Sequence, residues 1–90
     1  MKKVLITGGT SGIGYATLKK LVEKYEVIFT YCHNETKALE IANKYHIKGF
    51  YLDLESKMSI EELVDNIDNI DILINNAAIA RDNSFDDKTY

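Results

Sequence analysis

Four short apolar runs divide the chain into repeating units. They are VLI at 4–6, VIFTY at 27–31, IKGFYL at 47–52 and ILI at 72–74. Unbroken apolar runs of this length are typical of strands that are buried on both faces of a parallel sheet. The pattern therefore predicts four strands.

Three helix-length segments separate these runs. Residues 13–25 repeat apolar and small side chains at four-residue steps, and Asn34 is positioned as the N-cap of a second helix over 35–45. A third helix is predicted to open at Ser59, because Ser59-Ile60-Glu61-Glu62 has the form of a capping box. Strand and helix alternate three times before the fourth strand, which predicts an α/β fold with a parallel sheet and right-handed crossovers.

The segment TGGTSGIGY at 7–15 places four glycines between the first strand and the first helix. Glycine costs conformational entropy on folding, so this position requires backbone without side chains. The unpaired amides of a helix N-terminus outside a strand's carboxyl end suit a phosphate. The spacing is not the general G-x-G-x-x-G, and Tyr15 stands where a P-loop needs lysine. A glycine-rich turn without a ligand is the alternative.

Composition and charge argue against several classes of partner and site. The 90 residues carry a net charge of −3 and scattered lysines, which argues against nucleic acid or an anionic membrane as the partner. The single cysteine, Cys32, excludes an intrachain disulfide and a CxxC zinc site. With no targeting signal in the sequence, we expect a cytoplasmic protein, and we predict no metal site.

Three motifs at predicted strand ends resemble those of the short-chain dehydrogenase/reductase family. TGGTSGIG is similar to the family's TGxxxGxG, DILINNAA at 71–78 to its DxLxNNAG, and Asp53 in YLDL to its acidic residue after the third strand. The resemblance extends from Lys2 onward. TYCHNETKA and NNAAIARDNSF are most similar to the 3-oxoacyl-[acyl-carrier-protein] reductases of that family.

This resemblance implies a Rossmann-like three-layer sandwich. Residues 1–90 would form the N-terminal βαβαβαβ portion, the dinucleotide-binding part of one incomplete domain. In this family the carbonyl is reduced by hydride from a nicotinamide dinucleotide, here on a 3-oxoacyl thioester of fatty acid biosynthesis, and relatives are commonly homo-oligomers.

The resemblance also implies which residues line the cofactor. Glycine-loop residues would contact the pyrophosphate and ribose, Asp53 and Leu54 the adenine, and Asn75 and Ala77 the adenosine ribose. The full predicted set is Gly8, Thr10, Ser11, Gly12, Ile13, Gly14, Tyr31, His33, Asn34, Asp53, Leu54, Asn75, Ala77 and Ala78. Asp53 as a strand-end cap and Asn75 as a turn residue are the alternatives. Ala78 replaces the motif's glycine, so its contact departs from the family pattern.

The tip of the second strand bears on the choice of cofactor. An acidic residue there selects NAD, whereas a basic one accommodates the 2′-phosphate of NADP. Tyr31 is not acidic, Ser11 stands where many NADP-using relatives have arginine, and His33 is the nearest titratable base. Hydroxyls of Thr10, Ser11 and Tyr31 with the Asn34 amide favour NADP over NAD.

No catalytic residue is predicted within these ninety residues. The family's chemistry uses a serine, a tyrosine and a lysine four residues after that tyrosine, on a later helix. Tyr15 and Lys19 have this spacing but lie on the first predicted helix, where an i,i+4 pair is ordinary surface packing. The resemblance therefore implies the cofactor-binding part of an enzyme, with a non-catalytic dinucleotide-binding module or a vestigial fragment as the alternatives.

Overall fold

Seven elements alternate along the chain in the computed structural model, which describes residues 1–10 and 12–76. They are β1 (Lys3–Thr7), α1 (Gly12–Leu21), β2 (Glu26–Tyr31), α2 (Glu35–Tyr45), β3 (Lys48–Tyr51), α3 (Lys57–Asn66) and β4 (Ile72–Asn75). The predicted βαβαβαβ order and the α/β fold class are confirmed.

The four strands form one parallel sheet in the order β3-β2-β1-β4. β1 lies inside the sheet, where Leu5 is in register with Ile28 of β2 on one side and with Leu73 of β4 on the other. After β1 the chain builds outward through β2 and β3 and then returns to the opposite side of β1. This reversal places the topological switch point, where such sheets bind ligands, between β1 and β4.

The core lies mainly between the sheet and the first two helices. Because successive side chains of a strand point to opposite faces, one face of the sheet carries Val4, Ile6, Val27 and Phe29. These side chains pack against Leu18 of α1 and against Ala38 and Ile41 of α2. The right-handed crossover rule places α3 on the other face, because the β3-to-β4 connection runs across the sheet in the opposite direction. Buried Leu5 and Ile28 line that face, so the sheet is the middle of three layers.

Phe29 is the largest fully buried side chain, and two glycines make room for its ring. A Cβ on Gly9 would lie 2.8 Å from Phe29 Cβ, and one on Gly49 would lie 2.9 Å from the ring's Cε atoms. Both distances are shorter than packed carbon atoms allow. At both positions the packing of the Phe29 ring therefore requires glycine.

The predicted start of the third helix is wrong. The third helix begins at Lys57 with Ser56 as N-cap, not at a capping box opened by Ser59, since the Ser59 amide donates to Ser56 Oγ at 3.2 Å. Leu39 of α2 and Val64 of α3 are 58% and 61% exposed, so the buried apolar residues of these helices are Ala38, Ile41 and Leu63. Ile13, at the start of the apolar stripe of α1, is 76% exposed because it lies in the first turn, ahead of the packed part of that helix.

The strands at the two edges are less covered than the central pair. Leu73 of β4 is 60% exposed, whereas the equivalent Leu5 in β1 is buried. Burial on both faces is thus confirmed for β1 and β2 and wrong for the edge strands β3, where Tyr51 is exposed, and β4. Within the described part of the chain, no helix has both the length and the apolar character needed to cross a bilayer.

Candidate functional site

The carboxyl ends of β1 and β4 are joined by side-chain hydrogen bonds at the switch point. Thr7 Oγ1 donates to Asn75 Oδ1 at 2.8 Å and accepts from the Asn76 amide at 2.9 Å. Asn76 Nδ2 also donates to the Gly8 carbonyl oxygen at 3.2 Å. The glycine loop and the Asn75-Asn76 pair, separated by some seventy residues in sequence, therefore form one edge of the sheet.

β2 holds the start of the glycine loop. The Gly8 amide donates to Thr30 Oγ1 at 3.1 Å, and the Gly9 amide donates to the Thr30 carbonyl oxygen at 3.0 Å. Gly8 has a φ of 72°, a left-handed conformation that glycine adopts without steric cost. The loop is thereby fixed before the helix begins.

Gly14 sets how closely α1 approaches the strand ends. A Cβ on this buried residue would overlap the Gly8 carbonyl oxygen and lie 2.6 Å from Asn76 Nδ2. Only glycine therefore lets α1 begin directly over the loop. The missing side chain is required by packing within the chain, and a contact between Gly14 and the cofactor stays a prediction.

Gly12 has the opposite environment. It is exposed, has a φ of 52°, and a Cβ built on it meets nothing within 4 Å. Ile13, next to it, is exposed, whereas Thr10 is buried. The first residues of α1 thus face open space with the amides that a helix N-terminus leaves unpaired. Ser11, predicted for the same loop, lies outside the described residues.

The tip of β2 is aromatic. Tyr31 packs edge-to-face against Tyr51 of β3, with ring centroids 6.1 Å apart, and partial desolvation raises the pKa of the Tyr51 phenol. His33 is exposed, and Asn34 adopts a left-handed conformation whose Oδ1 accepts from the Lys37 amide at 3.4 Å. The predicted N-cap is confirmed, and Asn34 uses its side-chain oxygen to begin α2.

Asp53 lies two residues after the neighbouring strand β3 and caps the turn that follows. Its Oδ1 accepts from the Glu55 amide at 3.0 Å, and its own amide donates to Ser59 Oγ at 2.8 Å. The strand-end cap left open by the sequence is therefore present. Leu54 beside it is exposed, and contact of either residue with adenine stays a prediction.

A tyrosine–lysine cluster joins the two helices on one face of the sheet, and sequence reasoning missed it. Tyr15 Oη lies 3.3 Å from Tyr45 Oη, and the ammonium groups of Lys19 and Lys37 each lie 5.0 Å from the Tyr15 ring centroid. The hydrogen bond from Tyr45, followed by nearby lysine charges, lowers the pKa of Tyr15. The Tyr15–Lys19 pair thus belongs to contacts between α1 and α2. No motif or spacing in the sequence indicates that Lys37 lies beside Tyr15.

The structure brings most of the predicted site residues to the carboxyl edge of the sheet. The loop follows β1, Tyr31, His33 and Asn34 follow or end β2, Asp53 and Leu54 follow β3, and Asn75 ends β4. Ala77 and Ala78 lie outside the described residues, as Ser11 does. A phosphate-bearing ligand that spans the switch point would meet this edge.

Comparison with known proteins agrees with this arrangement. Residues 2–89 match the family model described as short chain dehydrogenase. The chain is 46% identical over 94 aligned positions to the 3-oxoacyl-[acyl-carrier-protein] reductase FabG of Aquifex aeolicus (strain VF5), with 93% of this chain and 38% of the relative covered.

Solved structures give the same result. BdcA in complex with NADPH superposes with a TM-score of 0.77 at 32% identity, over 87% of this chain and 32% of BdcA. FolM alternative dihydrofolate reductase 1 from Brucella canis, complexed with NADP, superposes with a TM-score of 0.75 at 26% identity, over 89% of this chain and 36% of that one. The chain thus spans less than two fifths of the length of each of these three proteins.

Proposed function

The chain belongs to the short-chain dehydrogenase family, and from this membership we propose that residues 1–90 are the dinucleotide-binding part of a single Rossmann-fold domain in an NAD(P)-dependent oxidoreductase. The dinucleotide would lie along the carboxyl edge of the sheet, with its pyrophosphate at the first turn of α1. Bound there, it would supply the hydride for reduction of a carbonyl.

The glycine loop carries this proposal. Gly14 allows α1 to start against the Gly8 carbonyl oxygen, and Gly12 presents its backbone to open space. A phosphate needs this combination of backbone amides at a helix N-terminus and room for its oxygens. A turn that served packing alone would not require an exposed glycine at a φ of 52° in the first position of the helix.

We propose the substrate class from the named activity of a similar protein. The reductase of Aquifex aeolicus is named for a 3-oxoacyl group on acyl carrier protein. The proposed substrate of the whole protein is therefore a 3-oxoacyl thioester. None of the ninety residues is assigned a catalytic role, and the serine, tyrosine and lysine of the reaction are proposed to belong to the part of the relatives' length that this chain does not span.

NADP is the proposed cofactor. No carboxylate ends β2, where Tyr31 packs on Tyr51, so the group that selects NAD is missing from that position. Two proteins of similar structure, BdcA and FolM, are complexed with NADPH and NADP respectively. Both observations support the 2′-phosphorylated dinucleotide.

A binding experiment tests the proposal. NADPH should bind the chain with measurable heat in a calorimetric titration, and Gly12→Ala should weaken that binding about tenfold or more, because a methyl group would enter the phosphate site. The left-handed φ makes alanine cost about 1 kcal/mol in folding stability. Asn69→Ala, which places alanine at a φ of 55° before the amino end of β4, is the matched stability control. Equal NADPH affinity in Gly12→Ala and Asn69→Ala would refute the loop assignment.

A further inference from the structure

Three lysine ammonium groups surround the two tyrosine rings of the tyrosine–lysine cluster between α1 and α2. Lys19 Nζ and Lys37 Nζ each lie 5.0 Å from the Tyr15 ring centroid, so these two ammonium groups are at most twice that distance apart. Lys44 Nζ lies 5.5 Å from the ring centroid of Tyr45, which packs edge-to-face on Tyr15 at 6.5 Å. After the hydrogen bond from Tyr45, which is the main cause, the charges of all three lysines also lower the pKa of Tyr15. Three cations therefore act on one phenol.

In the described part of the chain, no carboxylate pairs with this cluster. Among residues 1–10 and 12–76, no Asp or Glu oxygen lies within 4.0 Å of any of its three ammonium groups, whereas Lys3 Nζ has Asp68 Oδ1 at 3.3 Å. Glu23 and Glu40 each stand four residues from a lysine of the cluster, a spacing that permits helical ion pairs, but both are exposed and remain outside that distance. Like charges repel, and cation–π contacts with the two rings offset the repulsion only in part. An anion from outside the chain would neutralise the cluster.

The two tyrosine hydroxyls add a neutral donor to these cations. Tyr15 Oη and Tyr45 Oη lie 3.3 Å apart, and either can donate to the other. Because this bond uses one O–H group, the other hydroxyl keeps its proton for a further acceptor. Both rings pack against the buried core, which holds the hydroxyls in place. The cluster thus combines three ammonium donors with one hydroxyl donor.

This donor set matches a phosphate group better than a carboxylate. A phosphate monoester carries a charge of about −1.5 to −2 at pH 7 and has three strong acceptor oxygens. A carboxylate carries a single charge on two oxygens. Lysine has a flexible four-carbon stem, so the three ammonium groups can turn from the ring faces to separate phosphate oxygens and form charge-assisted hydrogen bonds.

From this geometry we infer that the tyrosine–lysine cluster is a binding site for a phosphate dianion, either free or as a monoester, held by Lys19, Lys37 and Lys44 together with a tyrosine hydroxyl. This site is separate from the proposed dinucleotide site. Tyr45 is the last residue of α2, whereas the dinucleotide would lie at the carboxyl edge of the sheet, where α1 and α2 begin. The inference therefore goes beyond the proposed function and does not depend on it.

Titrations with inorganic phosphate and with phenyl phosphate, at constant ionic strength and about pH 7.5, test the inference against chloride as the reference anion. At least one of the two phosphates should bind the wild-type chain with a Kd of about 1 mM or lower. Tighter binding of phenyl phosphate would identify a monoester as the occupant, and tighter binding of inorganic phosphate would identify the free anion.

The double variant Lys37→Gln/Lys44→Gln should weaken this binding about tenfold or more, because two charge-assisted hydrogen bonds are lost. Lys20→Gln/Lys24→Gln is the matched control. It removes the same charge from two exposed lysines that have no cation–π contact within the described residues. The control should change phosphate affinity by less than about twofold.

The Tyr15 phenol gives a second measurement. A dianion bound beside it should raise its pKa, so saturating phosphate should move the phenolate absorbance of the wild-type chain to higher pH and leave that of Lys37→Gln/Lys44→Gln unmoved. Equal phosphate affinity in the two double variants, or phosphate binding no stronger than that of chloride, would overturn the inference. Displacement of the bound phosphate by NADPH would place it at the glycine loop and would also overturn the inference, while leaving the proposed function standing.

Discussion

Replacing Thr7 by valine should weaken the junction between β1 and β4 without changing the shape of the side chain. The hydroxyl is buried and makes at least two hydrogen bonds, to Asn75 Oδ1 at 2.8 Å and from the Asn76 amide at 2.9 Å. Valine keeps the β-branched form that suits a strand and removes both bonds. The change therefore tests whether the polar junction stabilises the edge on which the proposed site is built.

The two lost bonds have different costs. Asn75 is exposed, so its oxygen can bond to water, and losing that bond should cost about 0.5–1 kcal/mol. The Asn76 amide is half-buried, and leaving it unsatisfied should cost about 1–3 kcal/mol. The additional methyl group offsets up to ~0.8 kcal/mol. We expect a net loss of about 2 kcal/mol in the free energy of unfolding.

Urea denaturation followed by circular dichroism measures this loss. With a slope of roughly 1–2 kcal/mol per molar urea, the midpoint should fall by about 1–2 M. Hydrogen exchange of the Asn76 amide should accelerate in the same variant, because its acceptor is gone. Thr36→Val, on the exposed side of α2, is the control and should stay within about 0.5 kcal/mol of wild type. A loss below about 0.5 kcal/mol in Thr7→Val, with Asn76 still protected, would show that the junction is not stabilising.

Two further predictions concern the helices. Tyr45→Phe should raise the pKa of Tyr15 toward the ordinary 10.0, because the Tyr45 hydroxyl is the main cause of its lowering. In a spectrophotometric titration, the phenolate absorbance that develops at the lowest pH in wild type should therefore develop at a higher pH. A titration identical to wild type would contradict the assigned hydrogen bond. Ser56→Ala should lower the free energy of unfolding by about 1 kcal/mol through loss of the α3 N-cap, measured by urea denaturation, and an effect no larger than that of exposed Lys57→Ala would contradict that assignment.

The helix ends show which boundaries can be predicted from local sequence signals. α2 spans Glu35–Tyr45 as predicted, because its N-cap Asn34 and its C-cap His46 act within a few residues of the helix. The start of α3 was mispredicted, since Ser56 and Ser59 are both competent caps. A contact with the segment after β3 separates them: Ser59 Oγ accepts from the Asp53 amide, so Ser56 is left to cap the helix.

Burial on the sheet shows the same limit. Apolar runs predicted the strands, but Leu5 and Leu73 belong to similar runs and have opposite exposure. Leu5 lies between two strands and Leu73 on an edge, and only the strand order separates the two cases. The apolar pattern indicates which side chains can be buried together, whereas the number of strands beside each residue depends on the strand order.

The sequence by itself determined the alternation of strands and helices, the parallel class of the sheet and the position of the glycine loop at a strand end, because these follow from apolar periodicity and from glycine's small size. Only the tertiary structure decided the partners: Thr7 with Asn75 and Asn76 across 68 residues or more, and Lys37 with Tyr15 across the two helices. Such contacts depend on strand register and helix docking. Both are set by the packing of the whole chain, so they produce no local pattern in the sequence.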